Sequence, residues 1–146
     1  MKQQIGIAVI SLTLLLGGEQ SQSNKDRLAA QGIWKVLGAE KGGEAAPREE
    51  ILNMELVFHE DTIQVRDAGK LQQKFKFKMD AVKDPRWLDL TYVGGPNNNR
   101  TDRAIYKLDG NDMKLCIQQF QDEPRPKAFA TEKNSGNWLV VLRRFK

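Results

Sequence analysis

Phe75, Phe77 and Met79 alternate with Lys74, Lys76 and Lys78, the plainest run of apolar and charged positions in the chain. A period of two sends the two sets to opposite faces of an extended strand, one buried and one wet. The same alternation recurs over short segments nearly to the end of the chain. It predicts strands over Gly32–Ala39, Met54–Phe58, Thr62–Val65, Trp87–Val93, Arg103–Leu108 and Met113–Gln118, with a closing strand at Trp138–Arg144. In the first of these, parity sets Trp34 and Val36 with Gly32 and Gly38 on one face.

Turn-forming residues separate the strands: His59-Glu60-Asp61, Asp67-Ala68-Gly69-Lys70, Gly94 to Arg100, and Asp109 to Asp112. Glu40 to Glu50 reads as a polar loop, with a short helix beginning at Pro47. Asp26 to Ala30 reads as one helical turn leading into the first strand. About eight strands at regular spacing predict an all-β fold, a single antiparallel up-and-down β-barrel.

The N-terminus has a different pattern. Lys2 precedes an apolar run from Ile5 to Leu16, and a polar segment from Glu19 to Asn24 follows. This is the layout of a secretory signal, and the run falls short of the roughly 20 apolar residues of a spanning helix. Residues 1–23 are therefore expected to be a signal peptide and residues 24–146 the barrel domain, with cleavage after Gly18 or after Ser23 both open. The mature protein is expected to be periplasmic or secreted, with no membrane span.

Composition narrows the chemistry. With 146 residues, the chain allows one closed core. Lys and Arg number 23 against 19 Asp and Glu, a net charge of +4, which does not call for a nucleic-acid partner. The single cysteine, Cys116, excludes an internal disulfide, and the single histidine, His59, excludes the usual multi-histidine metal sites. His59-Glu60-Asp61 reads as a plain polar turn, because adjacent side chains there diverge. The lysines of 74–78 point away from the phenylalanines between them, so the run is a solvated face rather than a basic-aromatic platform for single strands. Glu49 and Glu50 have no partner that would make them an acid–base pair. Cys116 shares the outward parity of Lys114 and Gln118 and has no nearby histidine to activate it. No catalytic set, cofactor motif or metal site emerges, and a protein that is not an enzyme is expected.

Several spaced motifs resemble a known group. Gly32-Ile33-Trp34-Lys35-Val36, the run YKLDGNDMKLCI at residues 106–117 and RPKAFATEKNSGNWLVVLRR at residues 125–144 are similar to a family of lipocalin-like domains found in planctomycete bacteria. The wider resemblance is to the calycin barrels. It implies an eight-stranded barrel whose end is locked by Gly32 and Trp34 on the first strand and by Arg143 or Arg144 on the last, a guanidinium lying over the indole. It implies no established activity.

Phe58, Phe75, Phe77, Leu90, Tyr92, Tyr106 and Leu115 share the inward parity. Two readings stay open for them. They line a cavity for one small hydrophobic or amphipathic ligand, with the tyrosines as polar handles, or they fill the core. An eight-stranded barrel is just wide enough for either. With a filled core, the loops Glu40–Glu50 and Gly94–Arg100 would contact a protein or cell-envelope partner. A free interior of roughly 300 Å³ or more would favour a carrier.

Overall fold

The computed structural model describes residues 22–145. The predicted signal run and the Gly18 junction lie outside the described residues. Helix α1 covers residues 22–29, and two turns of chain stand where one was expected. Then follow β1 (Gly32–Lys41), β2 (Glu44–Ala45), α2 (Arg48–Ile51), β3 (Met54–His59), β4 (Thr62–Asp67), β5 (Lys70–Asp80), β6 (Arg86–Tyr92), β7 (Thr101–Asp109), β8 (Asp112–Gln118) and β9 (Asn137–Arg144). Each long strand pairs antiparallel with the next, and β1 pairs with β9. The eight long strands thus close an up-and-down barrel, and the two-residue β2 is an appendage on β1. Each of the eight long strands therefore has a partner strand on both sides.

The expected strands are all present, several a residue or two longer than the alternation alone marked. The inner face of β1 differs from a simple period of two. The register to β9 slips between Val36 and Gly38, so Leu37 forms a bulge. An extra residue reverses parity beyond it. Trp34 and Val36 face inward before the bulge, and Ala39 and Lys41 after it. Gly38, expected on the face of Trp34, pairs instead with outward-facing Val141.

One end of the barrel is solid. Trp34 is fully buried and meets Phe58 edge-on at 6.5 Å, and Phe58 meets Phe77 at 5.3 Å. Leu88, Tyr106, Met113 and Leu142 complete this half of the core. Helix α1 lies across its base, where the Trp34 Nε1–H donates to the Ala30 carbonyl at 2.8 Å. Arg144, rather than Arg143, stacks over Trp34 at 4.4 Å from the ring centre. Its Nη1 donates to the Gln31 carbonyl at 2.7 Å and its Nη2 to the Ala29 carbonyl. Arg143 points outward to Asp112. Gly32 has a φ of +123°, and a Cβ there would stand 3.3 Å from Arg144 Nη1. Only glycine meets both demands.

Gln22 and Ser23 belong to this end. Gln22 Nε2 donates to Asp26 Oδ1 at 3.0 Å, and Ser23 Oγ accepts from the Ala81 N–H at 3.0 Å. Gln22 and Ser23 thus already make hydrogen bonds to the domain.

Candidate functional site

The other end of the barrel is hollow. β1 pairs with β3 only from Gly32 to Lys35, then leans away toward β9 and β2. The gap this opens in the wall is bridged by β2 and α2. Ile51, on α2, turns its buried side chain inward while Leu52 beside it stays exposed. Behind them lies a cavity of about 490 Å³. Its deep wall is Val36, Leu56, Ile63, Leu90 and Leu115, and nearer the mouth come Met54, Val65, Phe75, Ile117 and Val140. The polar side chains that border it, Lys41, Glu44, Glu50 and the indole of Trp138, belong to the end of β1, β2, α2 and the start of β9.

Lys41 Nζ lies over the Trp138 ring at 5.0 Å. The Trp138 Nε1 is covered and has no hydrogen-bond partner among the described residues. Glu40 is held from outside the barrel, where Thr131 Oγ1 donates to its Oε1 at 2.6 Å and accepts from the Gly43 N–H at 2.9 Å.

Of the residues expected to line an interior space, Phe75, Leu90 and Leu115 border the cavity. Phe58 and Phe77 belong to the packed half. The two tyrosines are engaged elsewhere. The Tyr106 hydroxyl donates to Asp26 Oδ2 at 2.6 Å, the same oxygen that receives Arg86 Nη1 at 2.6 Å. Burial, with the Asp26 carboxylate beside it, holds the Tyr106 hydroxyl well above its usual ionisation range. The Tyr92 ring packs edge-on against Phe75 at 4.7 Å, and its hydroxyl donates to Asp102 Oδ2 at 2.7 Å. Its pKa is raised too, by burial first and by Asp102 second. Asp102 is 1% exposed and also accepts from Arg100 and Gln121. Neither phenol is a free handle for a ligand.

Sequence reasoning missed these two carboxylates. Asp102 shares the inward parity of Ala104 and Tyr106, and a charge in that phase was the available signal. Asp26 had none, since Arg86 and Tyr106, which hold its Oδ2, lie 60 and 80 residues away.

The long segment between β8 and β9 straps the outside of the barrel. Arg125 stacks on Trp87 at 4.2 Å, donates to the Leu88 and Ala104 carbonyls, and pairs with Asp89 at 2.7 Å. Cys116 faces outward as its parity demanded, yet it is buried beneath this strap, with Sγ 3.6 Å from the Ala130 carbonyl. Burial pushes its thiol up, the opposite of what a nucleophile needs. His59, Glu60, Lys76, Lys78, Glu49 and Glu50 are exposed. Among the described residues no cluster of His, Cys, Asp and Glu could hold a metal ion, and no helix is long and apolar enough to cross a membrane.

Fold and site together define a closed eight-stranded antiparallel barrel, plugged at one end and hollow at the other, a form compatible with the calycin-like fold. The chain matches no family model, no curated protein and no solved structure.

Proposed function

We propose that this protein is an extracytoplasmic binding module that holds one small hydrophobic or amphipathic molecule in the hollow end of its barrel. The observation that carries the reading is the cavity of about 490 Å³ with aliphatic walls, in the size range of small-molecule sites. Water gains few hydrogen bonds against such walls, so an apolar occupant is favoured over solvent. The Gly32–Trp34–Arg144 lock supports the resemblance to the lipocalin-like family, and the apolar run from Ile5 to Leu16 supports export.

The protein starting at Gln22 should take up N-phenylnaphthylamine, an apolar dye that brightens on leaving water. A 1:1 rise in dye emission that a cavity-filling Val140→Trp variant abolishes is the expected result. Dye emission unchanged by the wild-type protein at dye concentrations up to saturation would dismiss the carrier reading.

A further inference from the structure

The distribution of polar groups around the cavity says which part of a ligand can go where. The deep wall is Val36, Leu56, Ile63, Leu90 and Leu115, and none of these side chains carries a nitrogen or oxygen. The strands beneath them use their backbone groups in the barrel ladders, save where β1 parts from β3 beyond Lys35. Of the nearest polar groups, the Tyr92 hydroxyl and Arg100 Nη2 are committed to Asp102, and Tyr106 and Arg86 to Asp26; the covered nitrogens without a partner among the described residues are Trp138 Nε1, at the rim, and Arg100 Nε, off the cavity wall. At the mouth the situation reverses. Lys41, Glu44 and Glu50 are exposed there, and water is at hand.

We infer that the cavity accepts a single-chain amphiphile tail first, a hydrocarbon chain with one polar end that stays at the mouth beside Lys41, Glu44 and Glu50. This rests on the carrier reading above and adds the ligand class and its direction. A hydroxyl or carboxyl carried to the floor would lose its water and find no partner, a penalty that outweighs several buried methylenes. A ligand long enough to carry a second polar end to the floor is therefore disfavoured. An eight-stranded barrel has room for one small ligand, which disfavours a two-chain lipid. Entry lies beside α2, where β1 and β3 are unpaired and the two-residue β2 and a four-residue helix bridge the wall.

The test is displacement of N-phenylnaphthylamine by dodecanol and by dodecane-α,ω-diol, which differ by one terminal hydroxyl. Dodecanol should displace the dye, and the diol should be weaker by roughly tenfold or more, the cost of one unpaired buried hydroxyl. Val36→Thr places a hydroxyl on the floor at nearly constant shape. It should recover much of the diol's affinity while weakening dodecanol. A diol that competes as well as dodecanol against the wild-type protein would overturn the tail-first inference and leave the carrier intact. Should Val36→Thr fail to fold, the wild-type ratio alone decides. If the dye itself does not bind, the carrier reading falls and takes this inference with it.

Discussion

The two ends of this barrel are built from the same strands and behave as opposite materials. At the closed end, large side chains interlock: Trp34, Phe58, Phe77 and Tyr106 fill the width, and α1 is fastened across the base by Asp26 and Arg144. At the hollow end the inward positions carry mostly Val, Ala, Leu and Ile, and two aromatics, Phe75 and Trp138, reach the space. Full burial of these interlocked side chains makes the first end the source of stability. The second end gives up contacts to keep a cavity open. A barrel can be hollow on one side because the other side supplies the cohesion.

The sharpest way to break this contrast is Trp34→Ala. Removing a fully buried indole together with its hydrogen bond and its stacked guanidinium should cost about 3–5 kcal/mol, read as a drop in the denaturant midpoint. Next, Asp26→Ala unfastens α1 and leaves the Arg86 and Tyr106 donors without their acceptor. A loss of about 2 kcal/mol is expected, with the α1 amides gaining hydrogen exchange ahead of the strands.

The tyrosines allow the two ends to be compared by pH. Tyr106 ionises at a higher pH folded than the 10.0 of an unperturbed phenol, because burial and Asp26 oppose the phenolate. Its contribution is therefore complete below pH 10.0 and is lost as pH rises from there toward the folded value, at up to about 1.4 kcal/mol per pH unit. Tyr106→Phe should flatten the alkaline limb of a stability–pH curve. Tyr92→Phe should flatten it by less, since Tyr92 is the less buried of the two phenols.

Filling the cavity should have the opposite balance of effects. Val140→Trp is expected to change stability by no more than about 1 kcal/mol while abolishing dye binding, because it occupies free space rather than displacing packed atoms. The same volume increase at Leu142, in the closed half, should destabilise clearly. Lys41→Ala should have the least effect. It removes a cation–π contact at an exposed rim, about 0.5 kcal/mol in a thermal melt.

Much of the barrel was legible from period and turns, because strand alternation is a local property and turns announce themselves by Gly, Asn and Asp. The lock was legible in part. Trp34 and Gly32 stood out, but adjacent Arg143 and Arg144 could be told apart only by the register that sends Arg144 inward and Arg143 to Asp112. The candidate site was legible in outline, through Phe75, Leu90 and Leu115. The tyrosines misled because inward parity does not say at what height along the barrel a side chain sits, or which carboxylate waits there.

What the sequence by itself determined is the all-β class, the order of the strands and the inward set on most of them, since each depends on neighbours a few residues apart. Only the tertiary structure decided that the core is full at one end and empty at the other. That outcome depends on the bulge at Leu37, on the early parting of β1 from β3, and on summed side-chain volumes drawn from eight strands at a common height. None of these quantities is local, so no window along the chain contains them.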